Sequence, residues 1–192
     1  MKMIAICNLK GGTGKTTSAI MIATGLTQLG RTVTVLDLDP QGSATEWAQA
    51  AEEFGASLPF LVIPGNAHSI RRAPQSDFVL LDCPPGNAQI IDAAVASSDE
   101  VIIPVSPSGI EVDRMWDALD LTAEKPTRVL LAQVVLNTNN LASLQEALRN
   151  ENVEVFPGVI PRREAIRNAY RRLPEKLWGY ESVAAALVKE SA

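Results

Sequence analysis

Residues 10–17 read KGGTGKTT, set between an apolar run, Ile4–Asn8, and a stretch from Thr16 to Leu29 that Gly30 stops. Gly11, Gly12 and Gly14 allow a tight backbone turn whose N–H groups point inward, and Thr13 sits among them. A helix that starts at the end of such a loop adds the partial positive charge of its first turn. The run therefore demands a strand that delivers the chain and a helix that carries it away, and both flanks are present. A glycine-rich turn that precedes a helix by accident is the competing reading. Seven specified residues arise by chance in a chain of this length on the order of once in a million.

The rest of the chain repeats the same alternation. Strands are expected at Thr32–Leu38, Phe60–Ile63, Phe78–Cys83, Glu100–Val105, Arg128–Leu136 and Val153–Phe156. Helices are expected from Ser43, near Ala88–Ser97, near Val112–Ala123, from about Leu141 to Asn150, and twice more at the end. Ser43 with Glu46 three residues on has the form of a capping box. Strands without a polar face, alternating with helices of 10–15 residues, mean an α/β sandwich of three layers: a mostly parallel twisted sheet with helices on both faces. No linker or repeat divides the 192 residues, so residues 1–192 are expected to form one domain.

In that setting the loop can hold a nucleotide. Lys15 can reach β- and γ-phosphates, Thr16 can ligate Mg²⁺, and Thr17 can bond the α-phosphate. The segment TVTVLDLDPQG puts Asp37 and Asp39 at the carboxyl end of a strand, where open α/β sheets bind ligands. FVLLD ends four apolar residues on Asp82, which places a carboxylate beside the loop to hold Mg²⁺ through water. Two cysteines, Cys7 and Cys83, are too few for a disulfide framework or a four-thiolate metal site and are expected to be buried thiols.

One departure from the common phosphate-loop pattern is informative. Leu9 stands where glycine is usual, and Lys10 directly precedes the double glycine. With KGGTGKTT, DLDPQG and FVLLDCPPG together, the chain resembles the deviant Walker A ATPases of the ParA/MinD group, a P-loop NTPase family. The resemblance implies ATP and Mg²⁺ as cofactors and an ATP-dependent homodimer in which Lys10 of each copy reaches the other's phosphates. It implies that Asp39 orients the attacking water, that Asp37 supports metal-bound water, and that the Gly86 N–H faces the γ-phosphate. Asn137, in VVLNTN, and Pro161-Arg162, in GVIPRR, are implied to lie against the adenine.

Net charge is −5, yet residues 160–180 hold six basic against two acidic side chains. Arg163, Arg167 and Arg171, four apart, are expected to form a stripe on a helix whose buried side carries Ile166, Ala169, Tyr170 and Leu173. Such a stripe can neutralise successive phosphates of DNA without reading bases. The resemblance adds nonspecific DNA and a ParB-like centromere-binding protein as partners, a cytoplasmic, nucleoid-associated location, and plasmid segregation as the task. Other cargoes, a MinD-like membrane switch and a metabolic P-loop ligase are the alternatives. The end, SVAAALVKESA, has one lysine and a short apolar run, which disfavours the membrane. No apolar run approaches the ~20 residues of a bilayer span, and the start is too short in apolar residues for a signal peptide. Trp47, Trp116, Trp178, His68 and Met115 are assigned to packing.

Overall fold

The computed structural model describes residues 1–190, so the last two residues of SVAAALVKESA lie outside the described residues. Six strands, β1 (Lys2–Ile6), β2 (Val33–Asp37), β3 (Leu61–Pro64), β4 (Phe78–Asp82), β5 (Glu100–Val105) and β6 (Thr127–Leu131), form one sheet in the order β3-β2-β4-β1-β5-β6. Every pairing is parallel. The helices are α1 (Lys15–Gln28), α2 (Ser43–Glu53), α3 (Ala88–Ser97), α4 (Gly109–Leu121), α5 (Asn139–Asn150), α6 (Glu164–Asn168) and α7 (Tyr180–Lys189), with a 3₁₀ turn at Ile70–Arg72.

Alternation along each strand splits the core in two. Ile4 and Ile6 face one apolar layer shared with α1 and α7, while Met3, Ala5 and Cys7 face the other, shared with α3 and α4. Helix α1 is buried along most of its length because α7 covers its outer side. A methyl group at Gly25 would stand 2.9 Å from the Ala184 Cβ, so the absence of a side chain there sets how closely the two helices approach. Val183, Ala184 and Leu187 of α7 are buried in this layer, and the Tyr180 hydroxyl shares a 3.0 Å hydrogen bond with Ser18. The apolar face of α7 is thus occupied inside the protein. No described helix is long and apolar enough to cross a membrane.

Three local expectations need correction. The sixth strand ends at Leu131, not Leu136: Gln133 has φ 53°, the chain leaves the sheet, and Val135 and Leu136 are exposed. Val153–Phe156 contributes a single parallel bridge, Val129 with Val155, instead of a strand. The capping box at Ser43 does not form. Gly42, with φ 68°, is the N-cap without a side-chain bond, and Glu46 is engaged elsewhere.

Candidate nucleotide site

The parallel register brings the site residues together. Ile6 pairs with Asp82, and Asp82 pairs with Asp37, so β1, β4 and β2 deliver the loop and two carboxylates to one edge of the sheet. Gly12 and Gly14 take φ of 80° and 88°, a conformation that suits glycine, and a Cβ at Gly12 would meet nothing within 4 Å. Glycine is required at these positions by backbone angle, not by crowding. Gly14 is the N-cap of α1, which has no side-chain cap and no acidic residue in its first turn, so its leading amides are left for an anion.

Lys15 is buried, and its ammonium donates to the Lys10 carbonyl at 2.9 Å. Burial pulls its pKa down, opposed by the negative groups around it, Asp82 foremost among them. Asp82 is fully buried, and neither of its oxygens has a hydrogen-bond partner among the described residues. Desolvation pushes its pKa up from 3.8 to about 7. The Thr16 hydroxyl lies near enough to favour the charged form, without a hydrogen bond of normal geometry, and Asp37 adds repulsion. An orphaned carboxylate next to Thr16 and a phosphate loop fits the donor set of a hard cation such as Mg²⁺.

This arrangement has a cost that can be measured. Asp82 ionises near 4 in the unfolded chain but only near 7 in the folded one. Stability without ligand therefore falls as pH rises from about 4 toward 7, then levels off. The Asp82→Asn chain is expected to lose that slope and to melt roughly 5–10 °C higher at pH 8. Thermal melts across pH 4–8 check this. A variant that melts no higher at pH 8 means Asp82 is not held at a cost.

The other acids divide the work. Asp37 accepts from Thr45 N at 2.8 Å, Thr45 Oγ1 at 2.7 Å and Asp39 N at 3.3 Å. Its carboxylate thus anchors the start of α2 and the loop before it. Asp39 is half-buried and accepts one bond, from Gln41 N at 2.9 Å, and its side of the loop faces a cavity of about 400 Å³. Cys7 and Cys83 are buried, with burial raising Cys7 to about 12 and Cys83 well above 9, so neither is a nucleophile at neutral pH.

That cavity is lined by Gly11, Gly12, Gly14, Lys15, Thr16 and Thr17 of the phosphate loop and, from the later chain, by residues 160–163, Ile166, Arg167 and Tyr170. Pro161 and Arg162 reach it because the chain after β6 is held by Val134 N to Ile160 O (2.9 Å) and Arg162 N to Val134 O (2.8 Å). Asn137 does not line it. The amide at the cavity is Gln133, whose Nε2 donates to the Gly12 carbonyl at 2.8 Å. Gly86, with φ 65°, is exposed beside the Leu9 carbonyl, and Pro85 lies 3.9 Å from a Cβ built on Gly11, so this loop abuts the phosphate loop. Lys10 is folded back within its own chain, its ammonium 3.3 Å from Glu111 Oε1. Glu111 also accepts from Ser106 N and Oγ.

The basic segment departs from a helical stripe. Helix α6 has five residues, Arg163 is its extended N-cap at φ −133°, and Arg171 has φ 65°. The arginines accordingly go to different places. Arg163 and Arg167 both line the cavity, Arg163 also lying over the Trp178 ring at 4.8 Å, while Arg171 pairs with Glu46. Trp47, read as packing alone, is buried but closes part of the cavity wall, its indole donating to the Arg172 carbonyl at 2.7 Å. No periodicity could have marked it.

An all-parallel sheet with a glycine loop, a buried lysine and an orphaned strand-end carboxylate defines a P-loop nucleotide-binding protein. Residues 4–174 match the CobQ/CobB/MinD/ParA nucleotide binding domain, and the chain belongs to that family. It is 34% identical over 178 residues to the maintenance of carboxysome distribution protein A of Halothiobacillus neapolitanus, covering 86% of this chain and 82% of that one. It is 30% identical to Protein ParA of Rhizobium radiobacter over 65% of this chain and 58% of that one. Among solved structures it resembles a plasmid partition protein of Borrelia burgdorferi bound to AMPPNP, with a TM-score of 0.81, 20% identity, and coverage of 98% and 99%.

Proposed function

We propose that this chain is a ParA-like positioning ATPase that binds ATP and Mg²⁺, dimerises over the nucleotide, and holds DNA without reading its sequence. The observation that carries the reading is Lys10 beside a complete phosphate loop whose buried lysine and orphaned Asp82 suit a triphosphate and its cation. AMPPNP in a protein of the same fold supports ATP as the ligand. Thr16 and Asp82 would hold Mg²⁺, which neutralises the β- and γ-phosphate oxygens when bound. Lys15 binds the phosphates, Asp39 orients water, and the backbone near Pro161 and Arg162 borders the base. Lys10 leaves Glu111 to reach the partner copy's nucleotide. Among the described residues no further general base lines the cavity, so turnover by the chain alone is slow and a protein partner stimulates it.

The DNA surface is assigned to the exposed cations Arg163, Arg171, Arg172 and Lys176, doubled in a dimer. The cargo is a plasmid carried by a ParB-like centromere-binding partner. A second reading, a carboxysome as cargo, is favoured by the 34% identity to a carboxysome distribution protein over most of the chain. Both readings place the protein at the nucleoid.

A DNA mobility assay with ADP, ATP and a slowly hydrolysed analogue, across a salt series, tests the shared core. Retention is expected with ATP and the analogue, not ADP, and to weaken steeply with salt. Arg163→Glu with Arg171→Glu is expected to lower it by roughly tenfold or more. Retention independent of nucleotide would contradict the reading.

A further inference from the structure

The six cations of residues 162–176 are not equivalent. Arg163 and Lys176 stack on Trp178, Arg171 is paired with Glu46, and Arg172 lies over Phe54. Arg162 is shared between the cavity and a neighbouring depression lined by Ser106, Pro107 and Ser108. Among the described residues no carboxylate or ring engages the Arg167 guanidinium, and Arg167 lines the same cavity as the phosphate loop.

Its neighbours fix where it stands. Ile166, one residue before, is buried at 9% exposure in the layer under α1. Tyr170, three residues after, donates its hydroxyl to Glu46 Oε2 at 2.9 Å and meets Trp47 edge to face with ring centroids 5.2 Å apart. The backbone carrying Arg167 is therefore pinned from both sides, while its side chain keeps a charge with no internal partner. An arginine so placed in the wall of a cavity that the phosphate loop also lines is arranged for an anionic ligand.

We propose that Arg167 contacts the bound nucleotide in its own subunit and is a nucleotide-binding residue rather than a DNA contact. The inference rests on the cavity being the ATP site. Its consequence is that the basic segment has one foot in the nucleotide cavity, so occupancy of the cavity is felt directly by the neighbouring Arg171 and Arg172. Glu46, which holds Tyr170 and Arg171 from the first turns of α2, is a positioning residue in this arrangement.

Equilibrium binding of ATP and ADP with Mg²⁺, on the full chain and without DNA, tests it. Arg167→Ala is expected to weaken binding roughly five- to twentyfold, less at high salt, and Arg167→Lys to stay within about threefold of the unaltered chain. Circular dichroism confirms the fold of each variant, which exposure of residue 167 favours. Unchanged nucleotide affinity in Arg167→Ala, with DNA retention lowered, would overturn the assignment and return the residue to the DNA surface. Lys15→Ala, run alongside, separates the two levels. If the unaltered chain binds no nucleotide, the ATP reading fails. If it binds and Arg167→Ala binds equally well, only this inference does.

Discussion

The Asp39→Ala chain is expected to bind ATP and Mg²⁺ nearly as well as the unaltered chain and to hydrolyse ATP at least about a hundredfold more slowly. Asp39 touches none of the phosphate-loop atoms through a hydrogen bond. Its carboxylate accepts from Gln41 N, inside its own turn. The turn itself survives the substitution, because Asp37 still ties the start of α2 through both Thr45 contacts. What disappears is a carboxylate at the cavity wall, the group assigned to orient water toward the γ-phosphate. Binding measured by equilibrium titration and phosphate release measured in parallel separate these effects. Ordinary turnover in the variant would remove Asp39 from the mechanism.

The Lys10→Ala chain should also bind ATP, yet remain a single copy and lose partner-stimulated hydrolysis, by roughly two to three orders of magnitude. The structure makes this substitution unusually clean. Lys15 donates to the backbone carbonyl of residue 10, which alanine keeps, and among the described residues the Lys10 ammonium pairs only with Glu111. Removing the side chain therefore leaves the loop's internal bonds in place. The half-exposed ion pair with Glu111 is worth little, so it restrains Lys10 only weakly. A variant that binds no ATP would show that Lys10 shapes the loop, and one that dimerises normally would show that it does not bridge subunits.

The sequence carried the sheet, and the nucleotide motifs on it, because both are written locally. Apolar runs free of polar faces specify parallel strands, and KGGTGKTT specifies the backbone that must follow one of them. Asp82 was placed correctly at a strand end for the same reason. What escaped was set by contacts between distant segments. Glu46 looked like half of a capping box and instead holds Tyr170 and Arg171, more than 120 residues on. The four-residue spacing of Arg163, Arg167 and Arg171 suggests one helical face, but α6 runs only from Glu164 to Asn168 and Arg171 beyond it is left-handed, and local periodicity does not register that. Asn137, which the resemblance implies lies against the base, follows a segment expected to stay in the sheet to Leu136. A turn at Gln133 ends it early and puts Gln133 at the cavity instead.

The claim beneath all of these assignments is that two copies close over ATP. Light scattering of the Asp39→Ala chain, which should keep its ATP intact, measures this with least ambiguity. With ADP and Mg²⁺ the expected mass is that of one chain, 20.6 kDa, and with ATP and Mg²⁺ twice that value. The same protein carrying Lys10→Ala should stay at one chain in both. A chain that holds stoichiometric ATP and still scatters as a single copy would contradict the account.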